Sequence, residues 1–396
     1  MSFPFIPIYF EKRGLALGTI GLILAGNLVA HALGTLIGGR LTDDLGARKT
    51  MILSLRWRTG ATVCLCAGIL SHAPAPLIAA IVFGVTFVGH AFQPACDVYI
   101  ASRFSYSDRN SAFSLMRVGV NAGWALGPAI GGLLAHALGY GALFLLTALL
   151  TLMNTRLLDQ RLPFDPVKSD APDIPSRPPF SVWLISLKNS VWRSFLAVNF
   201  LAAIAYSQIF TLLSLYCSRF QGQGEAAIGL LFGWNGVLVV ATQLWVTRLF
   251  RNWALTAMNA LGLAIYAAGY LLIAGASAWL GFFAAVTIVT MGEVIHSPAL
   301  TALTANMASN YGGDNRQGLY VGLAQFTATL GSLAASVSGG YLLDHVGRMN
   351  SSLPWFVAAA VAMAAALGYH LLSRLITSRE VLGLRMPVPA RLAILK

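Results

Sequence analysis

Glu293 lies near the middle of an otherwise apolar stretch, residues 278–304, and His90, Asp97 and Arg117 interrupt two others, 76–101 and 112–135. Ionisable side chains at such positions are costly to keep out of water and usually serve a function. A carboxyl and an imidazole can each take up and release a proton, so Glu293 and His90 are candidate proton-exchange groups. Each directly follows a glycine and precedes a proline, as Gly292-Glu293-x-x-x-x-Pro298 and Gly89-His90-x-x-x-Pro94. A neutral, hydrogen-bonded packing role is the alternative for both. Asp97 and Arg117 are equally far from position 107, in the loop joining their segments, so they fall at similar depth on neighbouring helices and can pair. Arg48 is a second available partner for Asp97. An ion pair that holds or gates the helices is favoured here over proton carriage. Asn27, Asn235 and Gln325, with Tyr206, Gln208 and Gln243, can line a cavity, and Trp234 and Phe326 can offer aromatic surface to an apolar solute. Helix–helix hydrogen bonding explains the polar groups equally well. No catalytic constellation accompanies them, so no enzyme activity is expected.

These residues need membrane-spanning helices to position them. The 396 residues are 57% hydrophobic, with a mean hydropathy of +0.71, which places the chain outside the soluble globular class. Eleven segments reach the ~20 apolar residues that a helix needs to cross the hydrocarbon core: 15–41, 51–72, 76–101, 112–135, 138–158, 191–217, 226–249, 253–275, 278–304, 317–342 and 353–376. They are rich in Gly, Ala and Leu and do not alternate as barrel strands would. The expected fold is an all-α polytopic membrane protein embedded in a lipid bilayer. The net charge of +12 does not point to nucleic acid, because 21 of the 26 Lys and Arg residues fall on alternate loops and the C-terminal tail. Basic residues are retained on the cytoplasmic side, so those loops, the central linker and the C-terminus are expected there. Cys64, Cys66, Cys96 and Cys217 lie in or at the end of apolar segments. The Cys64-x-Cys66 spacing is shorter than the usual zinc pairs and no histidine cluster joins it, so neither metal nor cofactor is expected.

The chain repeats itself. Ile20-Gly21-Leu22 recurs as Ile228-Gly229-Leu230, and the same offset of 208 relates Asn27 to Asn235, Arg40-Leu41 to Arg248-Leu249 and Gly131-Gly132 to Gly339-Gly340. Two related bundles follow: 1–158 and 189–378, joined by a cytoplasmic linker, 159–188, that holds six of the 16 prolines, and ending in a tail, 379–396. The register places Met1 opposite Ile209, leaving the first bundle without most of its first helix. Met1 to Phe10 reads as the outer end of such a helix, and about 20 further apolar residues are expected in frame upstream. About eleven complete spanning helices of an expected twelve are therefore present.

Two motifs carry a resemblance. Gly39-Arg40-Leu41-Thr42-Asp43-Asp44-Leu45-Gly46-Ala47-Arg48-Lys49 concentrates charge in a tight turn between two long apolar segments. It is similar to the loop between the second and third helices of the major facilitator superfamily, roughly Gly-x-Leu-Ala-Asp-Arg-x-Gly-Arg-Arg/Lys. Gly39, Leu41, Asp43, Gly46 and Arg48 match, whereas Asp44 and Ala47 replace basic residues. Gly119, Gly123, Gly127-Pro128 and Gly131-Gly132 form a small-residue face that lets helix backbones touch. That face resembles the fifth-helix motif of antiporters in this superfamily, and its repeat partner, Gly331 to Gly340, has Ser336 where Pro128 stands. The loop has its own physical reading, since Asp43 can sit at a helix N-terminus, where a negative charge is favoured, and Arg48 can bridge to a carboxylate.

The resemblance implies a fold of two pseudo-symmetric helix bundles that rock about a site near the membrane midplane, with the Gly39–Arg48 loop latching them at the cytoplasmic face. It implies a secondary active exporter of small amphipathic or drug-like molecules, with protons as coupling ion, acting as a monomer in a plasma membrane of the bacterial inner-membrane type. An importer or a specific metabolite exporter on the same fold remains open, as does a non-transporting scaffold. No nucleotide-binding loop of the Gly-x-x-x-x-Gly-Lys-Ser/Thr type occurs, which argues against ATP-driven pumping.

Overall fold

The structure is a computed structural model that describes residues 5–15, 17–163, 186–222, 225–312, 316–343 and 351–384. Among these residues it is all-helical: α1 Phe5–Lys12, α2 Leu17–Leu45, α3 Ala47–Leu70, α4 Ala75–His90, α5 Phe92–Arg103, α6 Arg109–Arg161, α7 Ser190–Gln221, α8 Glu225–Leu249, α9 Leu255–Gly275, α10 Trp279–Gly312, α11 Gln317–Tyr341 and α12 Leu353–Leu375. Helices are the economical solution in lipid because each satisfies its own backbone polar groups. Among the described residues nine spans are long and apolar enough to cross a membrane, α4 and α5 together counting as one. The outward surfaces stay apolar, with Leu280 79% and Leu22 75% exposed.

Most boundaries fall within a few residues of the expected segments, and the exceptions have local causes. α4 and α5 form one expected span interrupted at Ala91. Two expected spans merge into α6, which breaks at Gly139, whose φ of 81° suits a residue without Cβ. α6 also runs on to Arg161, so Asp159 to Arg161, expected in the linker, belong to a helix. Most of that linker, 164–185, lies outside the described residues, as do 385–396 of the tail. α7 starts at Asn189, whose side-chain oxygen accepts the Trp192 N–H at 3.0 Å, an ordinary N-cap.

The C-terminal helices α7–α12 share one large core, with Trp192, Tyr216, Tyr270, Phe282 and Trp355 almost wholly buried. Tyr270 donates its hydroxyl to the Ala205 carbonyl at 2.6 Å, tying α9 to α7. The N-terminal helices have two smaller clusters. In one, Ile6, Tyr9 and Phe10 of α1 pack on Leu65, Ile78 and Phe144. The other gathers Ala47, Met51, Ala95 and Tyr99 near the Gly39–Lys49 turn, at the loop end of the bundle.

Candidate functional site

Glu293 is 2% exposed and belongs to α10, where its two carboxylate oxygens have different donors. Arg117 of α6 reaches one through Nη2 in a salt bridge, and Asn235 of α8 donates to the other at 2.8 Å. The second Arg117 amine donates to the Ser297 hydroxyl, one turn along α10. The Asn235 amide also contacts Thr290 at 2.8 Å, and Tyr206 adjoins both charges. The expected Asp97–Arg117 pair therefore does not form. α6 leaves the loop end alongside α10 of the C-terminal helices, which carries Arg117 away from α5 and onto Glu293.

Asp97 takes different partners. One oxygen accepts from Gln93, one turn back on α5, at 2.8 Å, and the other accepts from Gln325 of α11 at 2.8 Å. Arg48, the alternative partner, binds Asp159 at 3.0 Å and the Leu162 carbonyl at 3.0 Å near the end of α6, where helix carbonyls favour a cation. Asp97 thus spans the two sets of helices through amides alone.

A cavity of about 610 Å³ lies between α2, α4, α5, α7, α10 and α11. Asp97, Gln93 and Gln325 line it, with His31, His90, His296 and Tyr206. Of the sequence candidates, His90, Asp97, Gln325 and Tyr206 line the cavity directly, and Glu293 meets it only through its neighbours Ser297 and Tyr206. Asn27 is elsewhere: it accepts from Thr86 at 3.2 Å, between α2 and α4. Asn235 stands behind Glu293, Gln208 and Gln243 are buried, and neither Trp234 nor Phe326 is in the wall. Trp234 instead donates to Thr287 at 2.8 Å on a half-exposed face.

The cavity is sealed toward the loop end. Asp43 accepts the backbone N–H groups of Gly318 and Leu319 at 2.7 Å each, so its carboxylate caps the first turn of α11. A Cβ on Gly39 would meet the Gly318 carbonyl oxygen at 2.2 Å. Glycine is required at that crossing. Beside it, Arg109 donates to Asn306 at 2.9 Å and Ser309 at 3.1 Å, and Ser114 accepts from Thr247 at 2.8 Å. Asp43 joins the two sets of helices; Arg48 and Gly46 act within the first. The small-residue face differs from expectation, because a Cβ on Gly119 or Gly123 would meet no atom within 4 Å. Those glycines touch no neighbouring backbone among the described residues, and Gly127, Pro128, Gly131 and Gly132 continue the same helix.

His31, Gln93, His296, Arg109 and Asn306 were not singled out from sequence. A signal existed for His31: His31, Thr35, Gly39 and Asp43 recur every four residues, so all share one face of α2.

Two sets of helices clasped about an internal cavity, with charges kept inside the bundle, define a membrane transporter. The sequence model of the Major Facilitator Superfamily matches residues 1–336, and the chain belongs to that family. It is 27% identical to the MFS-type transporter YttB of Bacillus subtilis, over 92% of this chain and 90% of that one. It is 24% identical to the quinolone resistance protein NorA of Staphylococcus aureus, over 91% and 89%. The crystal structure of the transporter FucP in the outward conformation superposes with a TM-score of 0.73 at 16% identity, covering 90% of this chain and 91% of that one.

Proposed function

We propose that the chain is a proton-coupled exporter of small amphipathic compounds that works by alternating access, with the loop end and C-terminus in the cytoplasm. The observation that carries the reading is Glu293, a buried carboxylate whose cation, Arg117, comes from the other set of helices. Protonating Glu293 removes the attraction between the two sets, and deprotonating it restores it. A proton taken from one side and released to the other is thereby tied to the rocking of the helices. Relatives named as a quinolone resistance protein and a multidrug resistance protein support export of drug-like molecules. The sealed loop end supports an outward-facing arrangement.

A second reading, a specific metabolite exporter, is favoured by one feature: the amides of Gln93 and Gln325 and the imidazoles of His31, His90 and His296 reach the cavity wall, and neither Trp234 nor Phe326 does. Proteoliposomes holding the purified chain test both. Ethidium movement driven by an imposed pH gradient, abolished in Glu293→Gln with insertion intact, is the result expected of the first. Gradient-driven flux at the full rate in Glu293→Gln would remove that residue from coupling. Uptake of labelled polar metabolites without ethidium movement would favour the second.

A further inference from the structure

The wall built by α2 and α4 holds titratable groups that the Glu293 pair does not use. His31 and His90 lie ring on ring, with centroids 3.8 Å apart and planes tilted by 43°. His90 Nδ1 is 2.8 Å from the Thr86 carbonyl. A carbonyl only accepts, so Nδ1 carries the hydrogen and a neutral His90 keeps its lone pair on Nε2. The two rings are held together by backbones in contact. A Cβ on Gly34 would meet the Phe87 carbonyl oxygen at 2.2 Å, and one on Gly38 would meet Ala91 Cα at 2.4 Å.

The same cavity also holds an anion. Gln93 and Asp97 follow His90 by three and seven residues, across the break at Ala91 on α5, and both line the cavity. Asp44, Asp159 and Glu293 each have a cation partner. Asp97 has only its two amides, and no cation forms an ion pair with it among the described residues. The other charged or titratable groups near the histidines are Arg58 of α3, whose Cδ would lie 3.1 Å from a Cβ on Gly89, and, in the cavity wall, His296 of α10 and Tyr206 of α7.

We propose that His31 and His90 form a second proton site, separate from Glu293, that holds one proton between two rings facing the cavity that Asp97 also lines. This rests on the proton-coupled reading for its use in transport, but the site itself is defined without it. The proton comes from water in the cavity and forms an N–H bond on one imidazole; it returns to water when the cavity faces the other side. A second proton is opposed by the like charge 3.8 Å away. Two such sites would let one cycle move a proton on Glu293 and another on the histidines.

Proton counting on the purified chain in detergent tests this, with acid uptake measured from about pH 8.5 to about pH 3, a range that reaches well below ordinary imidazole titration. His31→Gln and His90→Gln should each bind as many protons as the wild type, because the remaining ring takes the shared proton. The double variant should bind one fewer. Loss of a proton in each single variant would show two independent histidines and overturn the proposal, as would no loss in the double variant. Asn replacements, checked for monodispersity and unchanged melting, repeat the count if a Gln variant is unstable. Glu293→Gln in the same titration separates the two ideas. A normal histidine count with no gradient-driven ethidium flux in the wild type would sink proton coupling and leave the site standing. Normal coupling with an unchanged double variant would sink the site alone.

Discussion

Asp43→Asn should unlock the loop end. The carboxylate accepts two backbone N–H groups at 2.7 Å in the first turn of α11, so it satisfies donors that the helix itself cannot and places negative charge at the positive end of the helix dipole. A net hydrogen bond to a charged group contributes about 1.5–3 kcal/mol, and the dipole term about 0.3–1 kcal/mol. Asn keeps one neutral acceptor and presents an amide to the other N–H, so the loss is about 2 kcal/mol. At ~1.4 kcal/mol per tenfold, the ratio of closed to open loop ends falls roughly 30-fold. Thr304 reports it, because it lines the cavity on the loop-end side and is 8% exposed. With Cys64, Cys66, Cys96 and Cys217 replaced by Ser, Thr304→Cys should react with a membrane-impermeant maleimide from the loop side roughly 30 times faster in the Asp43→Asn background, since the rate follows the open population. An unchanged rate would show that the Asp43 contacts do not hold the closed state.

Gly318→Ala should act in the same direction, because its Cβ would lie 2.1 Å from the Gly39 carbonyl oxygen and overpacking costs about 1–3 kcal/mol; Gly60→Ala, with nothing within 4 Å, is the control and should leave the labelling rate unchanged. Glu293→Gln strands Arg117 without a counter-charge, and losing one member of a buried pair costs about 3–5 kcal/mol. Its thermal midpoint should fall, and Arg117→Gln added to it should restore much of the loss without restoring transport. Asn306→Ala removes both the acceptor for Arg109 and the donor to the Glu380 and Val381 carbonyls, at about 1–3 kcal/mol. Trypsin should then cut faster after Arg379, and an unaltered cleavage rate would show that Asn306 does not hold the tail.

The spans were legible because hydropathy and the 208-residue offset constrain them strongly, and the break at Gly139 was implied by two expected segments meeting there. The Gly39–Asp43 crossing was legible because a glycine and an acid one turn apart need a backbone to approach and a helix end to cap. Partner choice was not. Asp97 and Arg117 are matched in depth, but depth leaves rotation about the helix axis free. The direction in which α6 faces is set by its packing against α8 and α10, which no local pattern announces. Arg48 was drawn to Asp159 because α6 extends three residues beyond the expected linker boundary, a difference too small for hydropathy to resolve. His31 went unnoticed because a lone histidine in an apolar segment carries no signal until His90, 59 residues away in sequence, is placed against it.

The contacts of α6 with α10 form one antiparallel seam, and its order bears on how coupling works. At the loop end Arg109 holds Asn306 and Ser309. Eight residues further into the bundle Arg117 holds Ser297 and Glu293, nine and thirteen residues back along α10. Opening the loop end must therefore peel the seam from Arg109 toward Arg117, and the deep ion pair resists to the last. A proton on Glu293 weakens the seam at its buried end, whereas removing Asp43 weakens the neighbouring α2–α11 crossing at its exposed end. If the two act on one rigid movement, their effects on the opening equilibrium should add, since the sites share no partner. The Thr304→Cys rate measured in Asp43→Asn, in Glu293→Gln and in both together decides it. Multiplied accelerations mean one rocking step; an Asp43→Asn effect that vanishes when Glu293 is changed means that the loop end opens only while the deep pair is intact, and the single-seam account fails.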